Sequence, residues 1–317
     1  MSTQAPSIVA DIGATNARFS LADATGLAGE PVVLDTAAYD RSESLVEDAL
    51  SALGQPAPQA LCLAIAGPVR EGHGRMTNGA LVFDAAGLER RLGAPVLVVN
   101  DFHALARGLP ALRHARQLGG NAPGSGLKAV LGPGTGLGMG LLAPLEGGWR
   151  VLASEGGHAH MAPGSPLETE LLSVMQAEHG YVSWEMVLSG PGLVRLYRAT
   201  CQIWGASPDD LSSEQISARG VTAADPVCHQ TLETFFALLG AAAGNLALTV
   251  YALGGVYLGG GIVPHLAEFA AESPLRRRFD ERGAMTGLIR EVPLYLILDD
   301  CPGLVGALAM LGDVRPQ

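Results

Sequence analysis

Lysine is nearly absent from these 317 residues, Lys128 being the only one. A Walker A phosphate loop needs a Gly-Lys dipeptide, and this chain has none. Basic charge as a whole is scarce: 20 Lys+Arg face 31 Asp+Glu, a net charge of −11. Long-range electrostatics therefore repel phosphate backbones and anionic membranes, which argues against a nucleic-acid or membrane-surface role. A small anionic ligand is still compatible, because backbone N–H groups and metal ions bind anions locally. Cysteine is sparse too. Cys62, Cys201, Cys228 and Cys301 are far apart with no C-x-x-C pair, so neither a zinc knuckle nor a disulfide framework is expected, and a reducing cytosol fits best. The opening residues Met1 to Pro6 lack the basic and apolar regions of a secretion signal, so no export is expected.

Uninterrupted apolar runs are missing, with one exception. Ala241 to Val263 carries no charge and is long enough to span a bilayer. Gly254-Gly255 and Gly259-Gly260-Gly261 interrupt it around the strand-like Val256-Tyr257-Leu258. The stretch is therefore expected to be helix, turn, strand, turn.

What is present is a hydrophobic fraction of 48% in a chain long enough for two modest cores. Ser7 to Ile12 and Ala17 to Ala22 form an expected hairpin around Gly13-Ala14-Thr15-Asn16. A helix follows from about Ser42 to Leu53, then strands at Leu61 to Ala66 and Pro95 to Val99, the latter ending at Asn100-Asp101. This alternation predicts an α/β sheet with parallel pairs. A second unit begins near Ala111 and repeats the device: Lys128 to Leu131, a Gly132-Pro133-Gly134-Thr135-Gly136 tip, then Leu137 to Leu142. Pro166 to about Leu253 reads as mainly helical, strands return at Val256 to Leu258 and Val292 to Leu298, and Leu304 to Leu311 reads as a closing helix. The Gly-rich stretch 119–126 is the most loop-like.

Gly-rich tips with Thr or Asn suit phosphate, since consecutive N–H groups can approach oxygens closely. They equally suit plain tight hairpins. Two such tips and a third Gly run at 259–261 favour a nucleotide. No protein-kinase signature is present, and Leu137 stands where a Rossmann fingerprint needs its third glycine. Asp101 follows a strand end, where α/β proteins place functional side chains, but could instead cap a helix at Phe102 to Arg107. Glu155-Gly156-Gly157-His158 sets an acceptor and a donor around two flexible glycines. It could bind sugar hydroxyls, be a solvated turn, or join His160 on a metal.

Taken together, Asp11-Ile12-Gly13-Ala14-Thr15-Asn16-Ala17-Arg18, Asn100-Asp101-Phe102, the 132–138 glycine run, Glu155-Gly156-Gly157-His158, Leu188-Ser189-Gly190-Pro191-Gly192 and Gly259-Gly260-Gly261-Ile262-Val263-Pro264 closely resemble the bacterial glucokinase family. The likeness runs in order from about residue 8 to residue 313. The related repressor/kinase sugar family usually carries a Cys-rich zinc motif, and nothing like it follows His158. A departure from the family pattern is Gly79-Ala80-Leu81 after Met76-Thr77-Asn78, where bulkier, aromatic-containing sequence is expected.

The resemblance implies a two-lobed actin/hexokinase-like (ribonuclease H-like) α/β ATPase fold with a cleft between the lobes. The small lobe would span 1–110 and be joined by a C-terminal helix at 303–317, and the large lobe would span 111–302. It implies ATP-dependent phosphorylation of glucose at the 6-hydroxyl, at the entry to glycolysis, with ATP and Mg²⁺ as cofactors. Asp101 would be the general base, and Asn100, Glu155, His158 and Glu185 would hold the other hydroxyls. Asp11, Gly13, Thr15 and Asn16 would form the first phosphate loop, with Asp11 near Mg²⁺. Gly134 and Thr135 would form the second, and Gly259, Gly260 and Gly261 would approach the adenosine. A cytoplasmic homodimer without nucleic-acid or membrane partners is implied as well.

Overall fold

In the computed structural model, which describes residues 6–23, 25–55 and 57–314, the chain divides into two compact α/β units. The first comprises residues up to Arg113, Trp149–Val151 and the chain from Asp299 onwards; the second comprises His114–Gly148 and Leu152–Leu298.

The first unit is built on five strands in the order β3-β2-β1-β4-β8, namely β1 (Ser7–Ile12), β2 (Asn16–Asp23), β3 (Gly26–Asp35), β4 (Leu61–Ile65) and β8 (Val96–Asn100). A small antiparallel sheet, β5 (Val69–Arg70), β6 (His73–Arg75) and β7 (Val82–Asp84), lies between β4 and β8 in sequence. Strands β1, β4 and β8 run parallel, while β1 and β2 form the expected hairpin. Apolar residues occupy both faces of β1 because both faces are covered. Ile8, Ala10 and Ile12 pack with Leu45, Val46 and Ala49 of the helix Ser42–Ala52, whereas Val9 packs with Ala104, Leu304 and Ala307 of the helices Asp101–Gly108 and Pro302–Val314.

The second unit carries six strands in the order β12-β11-β10-β13-β14-β9: β9 (Ala115–Gly119), β10 (Lys128–Pro133), β11 (Leu137–Leu145), β12 (Gly148–Ser154), β13 (Gly255–Leu258) and β14 (Leu294–Ile297). Strands β10 and β11 repeat the hairpin, and β10, β13 and β14 are parallel. The predicted helix-turn-strand-turn at Ala241 to Val263 is present: the helix Pro226–Val250 ends at Tyr251, which adopts a left-handed φ of 54°, and β13 follows. Its N-terminus has Asp225 accepting from the Val227 and Cys228 N–H groups, with Pro226 at the first helical position. Among the described residues this is the one helix long and apolar enough to cross a membrane, and 61% of its apolar window is buried inside the protein. Strands β3, β5, β6, β7, β9 and β12 are not announced by the sequence. Each lacks a run of buried residues, so the apolar signal of a central strand is missing.

Candidate active site

Asp11 and Asp101 lie at matching ends of parallel strands in the first unit. Asp11 is the penultimate residue of β1 and Asp101 directly follows β8, with β4 paired between the two strands. The C-terminal edge of parallel strands is where open α/β sheets gather ligand groups. Asp101 is not the helix cap that its position allowed. Asn100 takes that role, its Oδ1 accepting from the His103 N–H at 3.0 Å, because its extended backbone (φ −68°, ψ 145°) aims the side chain at the helix start. Asp101 is the first helical residue, and its Oδ1 accepts from its neighbours, the Asn100 Nδ2 and the Phe102 N–H, both at 2.9 Å. Asn100 Nδ2 also donates to the Gly67 carbonyl at 3.1 Å. Asn100 is thus engaged on both ends of its amide and orients Asp101.

Burial, and after it the nearby negative charge of Asp11, pushes the Asp101 carboxyl up to about 7; the hydrogen bonds it accepts oppose this. Asp11 is itself raised by burial and drawn back by Arg18, its cross-strand partner on β2. Beyond Asp11, the tip Gly13 to Asn16 is closed by the Gly13 N–H donating to the Asn16 carbonyl at 2.9 Å. Asp11, Gly13, Thr15, Asn16, Asn100 and Asp101 are therefore all held at the strand ends of one sheet.

A second cluster belongs to the other unit. The tip Gly134-Thr135-Gly136 joins β10 to β11 and is pinned from the helical side, with the Gly190 N–H donating to the Gly134 carbonyl at 2.8 Å and the Leu137 N–H to Glu185 Oε2 at 2.9 Å. Glu185 lies so close that a methyl at Gly136 would sit 2.5 Å from Oε2. Its other oxygen is 3.8 Å from His158 Nδ1. The Leu188-Ser189-Gly190-Pro191-Gly192 motif thereby acquires a local role. Ser189 caps the helix Gly190–Trp204, and Gly190 braces the glycine tip.

Glu155 takes the cap position at the start of a 3-10 turn, Gly156–His158, that His158 ends, and both are exposed. The two glycines are there for close approach, not for flexibility as their sequence suggested. Neither has positive φ, and a side chain at Gly157 would meet the Leu137 carbonyl at 2.2 Å. The third glycine run continues the ladder, with the Gly259 N–H donating to the Leu131 carbonyl at 3.0 Å. Gly260 has φ +78° and would place a Cβ 2.4 Å from the Pro133 carbonyl, so only glycine fits. Gly134, Thr135, Gly259, Gly260, Gly261, Glu155, His158 and Glu185 are thus gathered around the ends of β10, β11 and β13. Among the described residues, no group of three or more His, Cys, Asp or Glu could hold a metal. Glu155, His158 and His160 are accordingly not brought together as a set of metal ligands.

Beside Gly261 opens a mostly apolar cavity of about 400 Å³, walled by Ile262, Leu266, Leu193 and Val221, with Ser213, Ser217, Glu214 and His265 adding polar groups. Only the glycine edge of this cavity is visible in the sequence. The opposite wall comes from the helix Ser213–Val221, whose ordinary amphipathic pattern carries no sign of a pocket.

The glucokinase family model matches residues 8–313. The glucokinase of Chromobacterium violaceum is 44% identical over 312 residues, which cover 97% of this chain and 90% of that protein. The solved glucokinase from an Antarctic psychrotroph superposes with a TM-score of 0.86 at 36% identity, covering 97% of this chain and 99% of that one. A ROK-family glucokinase from Streptomyces griseus, solved with glucose and AMPPNP, shares the fold at 21% identity and a TM-score of 0.65, covering 96% and 98% of the two chains. The α/β architecture is accordingly of the actin/hexokinase type, and the chain belongs to the glucokinase family.

Proposed function

We propose a division of labour among these residues for the reaction that family membership assigns to the chain, the phosphorylation of glucose by ATP. The γ-phosphoryl group passes in line to the sugar 6-hydroxyl, and Asp101 accepts the proton as the new bond forms. The observation that carries this role is the placement of Asp101 at a parallel-strand end with its carboxyl near 7, where a base can both take and release a proton close to neutrality. Glu155, His158 and Glu185 pair the remaining hydroxyls, each able to fork between neighbours. Asn100 supports Asp101 and adds a polar edge for the sugar.

The glycine tips at 13–16 and 134–136 offer backbone N–H groups and the Thr15 and Thr135 hydroxyls to the phosphates. Gly259 to Gly261 lead the nucleoside to the apolar cavity, whose walls suit a purine face and whose Ser213, Ser217 and Glu214 suit ribose hydroxyls. Ala218 also lines this cavity; in Ala218→Trp the larger side chain should crowd it, and KM for ATP should rise about tenfold or more, the scale of an overpacked site, with KM for glucose unchanged. Equal KM values for ATP in the two proteins would remove the nucleoside from this cavity.

Magnesium enters with the nucleotide as the substrate complex. The pair Asp11 and Asp101 fits this, since burial raises both carboxyls and the Asp11 charge raises Asp101 further, a cost that a divalent charge relieves. Among the described residues no group of three or more His, Cys, Asp or Glu forms a cage for the ion, and Mg²⁺ at phosphate sites is usually held by one or two carboxylates together with the phosphates. Excess EDTA should abolish turnover, and activity that survives it would refute the assignment.

A cytoplasmic homodimer is part of the same proposal. The decisive assay couples ADP release to a panel of hexoses. Glucose should give the highest kcat/KM; a preference for mannose or an amino sugar would move the assignment within the family, and sugar binding without ADP release would make the chain a sensor.

A further inference from the structure

We propose that Tyr181 is a positioning residue for the sugar site, its hydroxyl holding in place the backbone of the turn that carries Glu155 and His158. The proposal rests on the reading of Glu155, His158 and Glu185 as the groups that pair the sugar hydroxyls.

The turn is poorly held by its own chemistry. Its internal bonds are the His158 N–H to the Glu155 carbonyl at 3.0 Å and the Ala159 N–H to the Gly156 carbonyl at 3.1 Å. Two consecutive glycines raise the entropy lost when it orders. At its start the Gly156 N–H donates to Ser154 Oγ at 3.1 Å. At its end the His158 carbonyl accepts the Tyr181 hydroxyl at 2.7 Å.

Tyr181 does not belong to the core. Half of it is exposed, and its ring rests on that of His160 with the centroids 4.2 Å apart. An exposed tyrosine whose hydroxyl meets a backbone carbonyl contributes little to folding, yet here it fixes where one sugar-pairing group stands. The same segment leads directly to another. The Met161 N–H donates to the Val182 carbonyl at 3.0 Å, the Trp184 N–H donates to the Ala159 carbonyl at 2.9 Å, and His160 bridges to Ser183. Glu185 follows on the short helix Trp184–Val187, whose cap is Ser183. The stretch from Tyr181 to Glu185 is thus zipped to the stretch from His158 to Met161, and the Tyr181 hydroxyl closes the end of the zip nearest His158. The separation of 3.8 Å between His158 and Glu185 is longer than a hydrogen bond, so a small shift of the turn changes which hydroxyls the pair can reach.

The test compares Tyr181→Phe, Tyr181→Ala and His158→Ala with the wild type, measuring kcat and KM for glucose and for ATP, together with Tm. Tyr181→Phe keeps the ring and removes one hydrogen bond, so KM for glucose should rise about three- to tenfold, with kcat, KM for ATP and Tm unchanged. Tyr181→Ala also removes the support under His160 and should raise KM for glucose further. If His158→Ala raises KM for glucose and Tyr181→Phe leaves it unchanged, the positioning role is overturned while the sugar site stands. If His158→Ala also leaves it unchanged, the sugar-site reading itself fails. A fall in Tm and kcat in Tyr181→Phe without a selective change in KM for glucose would make Tyr181 merely structural and overturn the proposal.

Discussion

Asp101→Asn should lower kcat by about 10²-fold or more while leaving glucose binding largely intact, because the amide keeps the shape of the side chain and loses the proton acceptor. A near-normal kcat would remove Asp101 as the base. The pH dependence gives a second check on the same residue. With its carboxyl pushed up to about 7 by burial and by Asp11, the free enzyme loses the base as pH falls through neutrality. In the wild type, kcat/KM for glucose should therefore drop about tenfold per pH unit below that point and level off above it. The stability effect has the opposite sign. A carboxyl raised from 3.8 to about 7 keeps a proton in the native state that the unfolded chain has already lost, so wild-type stability falls as pH rises through that window. The Asn variant escapes this cost. It should therefore melt above the wild type at pH 8. The difference should vanish near pH 4. A variant both less active and less stable at pH 8 would show that Asp101 is held by compensating contacts rather than strained by its site.

Glu185→Ala should be nearly as damaging, but with a different kinetic signature. Glu185 both faces His158 and accepts from the Leu137 N–H at the end of the 134–136 tip. Removing it deprives the sugar of a charged partner, at about 1.5–3 kcal/mol or roughly 10- to 150-fold in kcat/KM for glucose. It also leaves a buried N–H without its acceptor beside the second phosphate tip, so KM for ATP should rise as well. Glu185→Gln separates the two effects. Its amide oxygen can still accept from Leu137, so KM for ATP should return towards normal while glucose use stays poor. If Gln and Ala behave alike towards ATP, the link between Glu185 and the phosphate tip is not functional. If both variants use glucose normally, Glu185 does not touch the sugar.

The wide spacing of these groups explains which of them could be read from the chain. Asp101 and the three glycine runs stand out because each sits where an apolar strand stops abruptly, and a strand end is visible in one dimension. Glu155 and His158 stand out less, since a turn with a carboxylate and an imidazole has several ordinary uses. Tyr181 is invisible, because its role is a single hydrogen bond to the carbonyl of a residue 23 positions away. The helix Ser213–Val221 gives no sign either. Its cavity-facing Ser217 and Val221 become a wall only once that helix packs beside Ile262 and Leu266.

By itself the sequence determined the central elements and their order: two hairpins with glycine tips, parallel buried strands between helices, and an apolar helix that ends before Gly254. These follow from local patterning, in which side-chain period and backbone freedom act over a few residues. Only the tertiary structure decided what each functional atom touches. It spent Asn100 as the cap and left Asp101 free to be raised by burial and by Asp11. It required glycine at 157 and 260 by pressing them against the Leu137 and Pro133 carbonyls. It also brought Glu185 to the 134–136 tip. Each outcome depends on the packing of segments distant in sequence, and on distances of 2 to 4 Å that no one-dimensional pattern records.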